Sequence, residues 1–323
     1  MRSFPLLANA TVALLVASGV AAAQEHWPQK PVRMIVPYAA GSGVDSAMRP
    51  VATALGAQLK QPVLVDNRAG AGGLVGTQAL ANAAPDGYTV AFGNIVTLAI
   101  NPSFHSDLPY DPSRLAPVGL ASGSQYVLIA RPDFPASTFP ELIAYARESP
   151  GKVFVGSPGH GSGGHLAAAL IETETGTSFS MVPYKTGTQA VGDMLNGQLD
   201  VMIDNIVAVL PFINDKRVKP LAVTGLKRAT TLPNVPTIHE DGLPDFEVLA
   251  WGGLVAPEGT PPELVEKLNT ALRKALEDPA VIAMAENFSI DLMPSTPEEF
   301  TQLIQDETRR WAEVVRYTGV TAN

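Results

Sequence analysis

The chain twice breaks an apolar, strand-prone run with the same three residues. Val36-Pro37-Tyr38 leads into Ala39-Ala40-Gly41-Ser42-Gly43, and Val182-Pro183-Tyr184 leads into Lys185-Thr186-Gly187-Thr188. Between them lies a third glycine loop, Gly156-Ser157-Pro158-Gly159-His160-Gly161-Ser162-Gly163-Gly164. Each reads as a strand that ends, turns through Gly and Ser or Thr, and starts a helix. Glycine lets backbone N–H groups crowd toward one point, and a helix N-terminus adds partial positive charge there. Such loops in separated parts of one chain predict a site that grips a small anion from two sides.

Around these loops, short apolar runs alternate with helical periodicity. Residues 32–37 predict a buried strand, and Val44, Met48, Val51, Ala52, Leu55 and Leu59 recur at helical spacing. Asp45 is placed to cap that helix, and Pro50 predicts a kink or a late start. Strands follow at 62–65 and 88–92, with a small-residue helix over 74–84 between them. The Pro-rich stretch 101–117 reads as loop. Further strands are expected at 126–130, 153–155, 179–182, 199–203, 219–223 and 252–256. Thr138-Phe139-Pro140-Glu141, Thr260-Pro261-Pro262-Glu263 and Thr296-Pro297-Glu298-Glu299 read as capping boxes that open helices. The last two helices are amphipathic and are expected to pack on the first lobe. This order predicts an α/β fold with mostly parallel sheets.

Arg2, an apolar run over 11–20 and Ala21-Ala22-Ala23 read as a secretory signal peptide, cleaved before Gln24. A periplasmic location follows as the expectation. With no Cys, the exported chain has no disulfide framework. Zero Cys and five His argue against a structural zinc site, so no metal and no cofactor is expected. The formal charge is -9, and -10 once Arg2 leaves with the signal. An acidic chain without a basic cluster is a poor nucleic-acid binder. It can still hold a small anion, because a ligand in a cleft feels local dipoles more than the distant surface.

Enzymatic readings fare worse than a binding reading. Gly159 to Gly164 matches a dinucleotide fingerprint by spacing, but the next strand ends in Val182-Pro183-Tyr184-Lys185 and not in the ribose-binding acid. Ser42, Ser157 and Ser162 sit on turns, yet none lies in G-x-S-x-G, and no acid is placed to orient His160 or His165. Asp45 and Asp204 could form an acid–base pair. A local role is expected of each: Asp45 at its helix start, Asp204 orienting loop N–H groups or Asn205. Tyr38 and Tyr184 follow prolines at strand ends, where they either pack at the lobe rims or wall the cleft.

The chain resembles the tripartite tricarboxylate transporter substrate-binding proteins, the Bug family, over essentially its whole exported length. The resemblance rests on Trp27-Pro28-Gln29-Lys30-Pro31-Val32-Arg33, Val36-Pro37-Tyr38 through Asp45, and Val65-Asp66-Asn67-Arg68-Ala69-Gly70-Ala71-Gly72-Gly73. Ala84-Pro85-Asp86-Gly87-Tyr88, Leu108-Pro109-Tyr110-Asp111-Pro112, Asp204-Asn205 and Leu232-Pro233-Asn234-Val235-Pro236-Thr237 extend it.

It implies a two-lobed periplasmic binding-protein fold of type II, a Venus flytrap with two crossing strands near 122–129 and 249–255. Lobe 1 would comprise 24–122 plus 250–323, and lobe 2 residues 123–249. It implies capture of a small mono-, di- or tricarboxylate by a monomer and delivery to membrane permease subunits. A sensor feeding a signalling partner, or an exported hydrolase, are the alternatives. The implied ligand-facing set is Tyr38, Ala40, Gly41, Ser42, Gly43 and Asp45 from the first loop, and Ser157, His160, Gly161, Ser162 and His165 from the second. Asn94, Tyr184, Asp204 and Asn205 join it. The chain departs from the family pattern in having Ser42 for a second Gly, Thr186 for Gly, His160 for Asn, and Gly163-Gly164 where Ser or Thr is frequent. Loss of hydroxyls at the last position is expected to open the distal pocket.

Overall fold

The computed structural model describes residues 27–157, 159, 161–184 and 186–319. The expected signal peptide and His160 lie outside the described residues.

Strand β1 (Val32–Val36) buries Val32, Met34, Ile35 and Val36, because helices cover both faces of its sheet. Helix α1 (Gly43–Leu59) presents Ala47, Met48, Val51, Ala52, Leu55 and Leu59 to that sheet. It starts at Gly43 despite the internal Pro50, so the proline does not delay it. It stops at Lys60, whose left-handed φ of 55° lets its N–H reach the Gly56 carbonyl.

Strand β2 (Val63–Asn67), helix α2 (Leu74–Ala81) and strand β3 (Thr89–Asn94) complete the first βαβ units. A wide, π-type helical turn over Val96–Ile100 continues as the α-helical Asn101–Phe104, where sequence periodicity predicts loop. Tyr110 pins this turn, donating to the Thr97 carbonyl at 2.7 Å and accepting from Asn101 at 3.1 Å.

Strand β4 (Ala116–Gly123) leads to β5 (Tyr126–Ala130), helix α3 (Phe139–Glu148), β6 (Phe154–Ser157), α4 (Gly163–Thr175) and β7 (Ser180–Pro183). Helix α5 (Gly187–Leu195), β8 (Val201–Asn205), α6 (Ile206–Asn214) and β9 (Lys219–Val223) follow. The chain closes with β10 (Gly252–Ala256), α7 (Pro262–Ala275), α8 (Pro279–Asn287), β11 (Asp291–Leu292) and α9 (Pro297–Thr318). Of the expected capping boxes, Thr296 and Glu299 exchange both bonds, at 2.8 and 3.2 Å. The box at Thr260 does not form: its hydroxyl bonds to the Pro257 carbonyl, and Pro261 caps the helix without a side-chain bond.

Two sheets result. One has the order β11-β4-β10-β3-β1-β2, the other β7-β6-β8-β5-β9. In the first, β1 is parallel to β2 and β3, while β10 runs antiparallel to β3 and β4. In the second, β6 is parallel to β7 and β8, and β5 is antiparallel to β8 and β9. The reversed strands flank the crossings between sheets. The chain leaves the first sheet after Gly123 and returns before Gly252, and the two crossings pair through Gln125 and Leu249. The Ala250 N–H donates to the Ser124 carbonyl at 2.8 Å. This is the α/β periplasmic-binding-protein architecture, two lobes joined by two strands.

One apolar core does not respect the division. It runs from Ile35 and Leu98 through Phe104, Trp251, Phe300 and Trp311 to Leu166, Ile203 and Leu221. Helix α9 packs both on β4 and on α4 of the other sheet's layer. The expected packing on the first lobe is thus joined by packing on the other sheet's layer. Helix α4 is buried at every position from Gly163 to Ile171, so it has no solvent face over its first turns.

Candidate functional site

The loops after β1 and β6 share one local construction. Ser42 caps α1, its Oγ accepting from the Asp45 N–H at 3.2 Å, and Ser162 caps α4 by accepting from the His165 N–H at 3.3 Å. The two caps have nearly the same backbone, with φ −67° and ψ 163° at Ser42 against φ −67° and ψ 159° at Ser162. In both, the third helical residue reaches back. The Gly41 N–H donates to Asp45 Oδ2 at 2.8 Å, and the Gly161 N–H donates to His165 Nδ1 at 2.9 Å. Gly41 at φ 78° and Gly161 at φ 73° make the left-handed turn that aims those N–H groups inward. The first N–H groups of each helix, at Gly43-Val44 and Gly163-Gly164, point past the cap, where an anion is favoured.

A cavity of about 460 Å³ opens beside the first loop and runs along the crossing strands. Of the expected residues, Ser42, Gly43, Asn94 and Asn205 line it. Tyr38, Ala40, Gly41, Asp45, Ser157, Gly161, Ser162, His165, Tyr184 and Asp204 do not. The second loop touches the cavity through Tyr126, which lines it: a Cβ on Gly163 would fall 1.9 Å from the Tyr126 hydroxyl. That hydroxyl makes no hydrogen bond with any described residue, although Tyr126 is only 6% exposed.

Several expected residues are committed to the scaffold. Both Asp45 oxygens are occupied. Arg49 Nε donates to Oδ2 at 2.9 Å alongside Gly41, and Asn67 Nδ2 donates to Oδ1 at 2.9 Å. Asn94 accepts from the Val96 and Thr97 N–H groups at 3.1 Å and donates to the Tyr38 hydroxyl at 2.6 Å. The Ser157 hydroxyl donates to the Gly159 carbonyl at 3.2 Å, inside its own loop. Tyr184 is half-buried, and its N–H pairs with the Ser157 carbonyl at 3.0 Å. Asn205 caps α6 by accepting from the Val207 N–H at 3.1 Å, and its Nδ2 has no partner among the described residues.

The two buried aspartates titrate in opposite directions. The Arg49 hydrogen bond, joined by those from Gly41 and Asn67, holds the Asp45 carboxyl down to about 2 against the opposing effect of burial. Burial pushes Asp204 up to about 6, and the Asn205 N–H at 2.7 Å offsets only part of this. Burial, then the nearby Asp204 charge, pushes the Tyr126 phenol upward, so it stays a neutral donor. Among the described residues no cluster of three or more His, Asp or Glu is arranged to hold a metal, and no helix is long and apolar enough to cross a membrane.

Reasoning from sequence missed most of the cavity wall. Met48, Phe92, Trp251, Phe288 and Ile290 line it, with Ser122 and Ser124. Met48 and Phe92 sit on a helix and a strand whose local pattern reads as ordinary core, and Phe288 and Ile290 lie in the connection between α8 and β11. Trp251, immediately before β10, carried a signal only in its position at the return crossing.

The comparisons with known proteins agree with this architecture. The family model described as tripartite tricarboxylate transporter family receptor matches residues 47–320. Protein BugT of Bordetella pertussis is 36% identical over 315 residues, covering 96% of this chain and 97% of that protein. The structure of R. palustris Rpa4515 with adipate has a TM-score of 0.79 at 31% identity, covering 92% of this chain and 99% of that one. MatC from Rhodopseudomonas palustris with bound malate has a TM-score of 0.74 at 31% identity, covering 90% of this chain and 100% of that one.

Proposed function

The chain belongs to the tripartite tricarboxylate transporter receptor family, a family of periplasmic solute-binding receptors and not of enzymes, and from that premise we propose that it captures a small organic carboxylate between its lobes and hands it to the membrane permease of such a transporter. The observation that carries the reading is the pair of matching helix N-termini after β1 and β6, with main-chain N–H groups and serine caps in the same geometry. A hydrogen bond to a charged group contributes about 1.5–3 kcal/mol. Three or four at one carboxylate, less the cost of immobilising ligand and lobes, reach the ~8 kcal/mol of micromolar binding. No lysine is needed, so the acidic net charge is no obstacle.

In this reading lobe 1 comprises residues 24–122 with 250–323, lobe 2 residues 123–249, and residues 1–23 are an export signal removed before Gln24. Ser42, Gly43, Asn94 and Asn205 face the ligand, with Ser162 and the N–H groups of Gly163-Gly164 opposing them. The remaining members of the expected set brace the loops. The titration that tests this uses Gly43→Val combined with Ser162→Ala. Space around Gly43 is open, so its side chain would enter the site without disturbing the fold. Calorimetry on the double variant is expected to show carboxylate affinity at least tenfold weaker, with a cooperative melting transition lowered only by the loss of the Ser162 cap, about 1 kcal/mol. Unchanged affinity would reject the loop assignment. The ligand should also be recovered chemically unaltered after long incubation, as a receptor requires.

A further inference from the structure

The cavity beside the first loop carries information about the rest of the ligand. No charged side chain is among the residues that line it. Its walls are Met48, Phe92, Tyr126, Trp251, Phe288 and Ile290. Of the neutral polar groups that interrupt them, Asn94 is engaged by Tyr38, Val96 and Thr97, and Ser124 donates to the Asn205 side-chain oxygen Oδ1 at 3.1 Å, which leaves Asn205 Nδ2 as a neutral donor without a partner among the described residues. What charge lies behind the wall is negative. The Trp251 indole N–H is turned away from the cavity onto Glu307 at 3.1 Å, and Asp204 sits beside Asn205. The cation at the first loop, Arg49, is engaged by Asp45 and Asn67.

We propose that the ligand is a monocarboxylate with an apolar, aromatic-sized body, and that Phe92, Trp251 and Phe288 select it over dicarboxylates. This rests on the reading that the cleft takes carboxylates. A ligand anchored by one carboxylate at the Ser42-Gly43 end must lay the remainder of its body against this wall. A second carboxylate there would be stripped of water and meet no cation, which is among the costliest burials a protein can make. A ring meets aromatic edges and faces instead, in a cavity within the size range of small-molecule sites. The Tyr126 hydroxyl, beside Gly163 and without a hydrogen bond to any described residue, adds one neutral donor between the anion end and the apolar wall.

The test is calorimetric titration of the whole receptor with benzoate, phenylacetate and 3-phenylpropionate, against malate and adipate, with benzyl alcohol as the uncharged control. At least one phenyl acid is expected to bind at least tenfold more tightly than malate or adipate. Phe288→Ala, at a half-buried position, is expected to weaken the phenyl acids at least tenfold and so erase that margin, and an equal weakening of malate and adipate would show that Phe288 does not discriminate. If malate or adipate binds as tightly as every phenyl acid, this inference falls and carboxylate capture stands. If benzyl alcohol matches the phenyl acids, or no acid binds, carboxylate capture falls with it.

Discussion

The loop after β1 and the loop after β6 make the same turn with different chemistry at one position. Gly41-Ser42-Gly43-Val44-Asp45 and Gly161-Ser162-Gly163-Gly164-His165 share the positive-φ glycine, the serine cap and the backward reach to the glycine N–H. Apart from Val44 in place of Gly164, the acceptor differs: a carboxylate in the first, an imidazole nitrogen in the second. A carboxylate within a turn of the proposed anion site would be a liability, and Asp45 has partners that offset its charge. Arg49, Gly41 and Asn67 hold both Asp45 oxygens within the lobe, and Asp45 is not among the residues that line the cavity. The second loop needs no such guard, because a ring nitrogen that accepts a hydrogen bond is uncharged. One turn geometry can therefore serve both sides of an anion trap, provided the charge at its third helical residue is neutralised locally.

The comparison breaks most visibly at its glycines. Both occupy the left-handed region, but a Cβ on Gly161 would lie 2.5 Å from the Phe104 ring, whereas one on Gly41 would meet nothing within 4 Å. Gly161→Ala is expected to cost about 2–4 kcal/mol, combining left-handed strain with overpacking. Gly41→Ala should cost about 1 kcal/mol. Urea melts that find the two equal would mean that Phe104 gives way freely.

The acids come next. Asp204 has a folded-state value of about 6 against an unfolded value near 3.8, so the folded chain holds a proton that the unfolded chain has released. Stability therefore falls as pH rises through that window, and the loss persists above it. Asp204→Asn is expected to be stabilising by about 2 kcal/mol at pH 7.5 and neutral at pH 3, read by denaturant midpoints at both pH values.

Asp45 runs the other way. Its stabilisation is present above pH 3.8 and is lost as pH falls toward 2. Asp45→Asn is expected to cost about 1–1.5 kcal/mol at neutral pH, a figure discounted because the Arg49 side chain is 52% exposed. Guanidinium melts at pH 7, where a high salt concentration screens the pair, should show a smaller loss than urea melts.

The smallest effects fall on the caps. Ser42→Ala and Ser162→Ala should each cost about 1 kcal/mol, and by the same amount within error. A clear inequality in thermal midpoints would show that the shared backbone hides different loads.

The loops were legible in sequence because their logic is local. A strand end, a glycine and a Ser three residues before a polar side chain are all visible in a few positions, and Thr296-Pro297-Glu298-Glu299 was read as a cap for the same reason. Ser42 looked like a departure from the family pattern. In the structure it supplies the hydroxyl that makes the first loop match the second. The bracing of Asp45 was not readable, since Asn67 comes from β2 and reaches Asp45 only through the pairing of β1 with β2. The same holds for the cavity wall. Phe92, Tyr126, Trp251 and Phe288 come from four segments, and nothing in any one of them tells a wall residue from a core residue. Helices α6 and α8 escaped notice because Ile206–Asn214 carries an internal proline and Pro279–Asn287 is short.

The jacket around α4 has a mechanical corollary. From Gly163 to Ile171 it has no wet side, and α9 lies over it while Arg310 ties α9 to the Glu247 carbonyl at 2.6 Å. Gaping the two halves apart like a book would wet that seam, at about 25 cal/mol for each Å² of apolar surface uncovered. Any parting of the two halves therefore meets its greatest resistance along this seam, where the carboxy-terminal helix spans both layers.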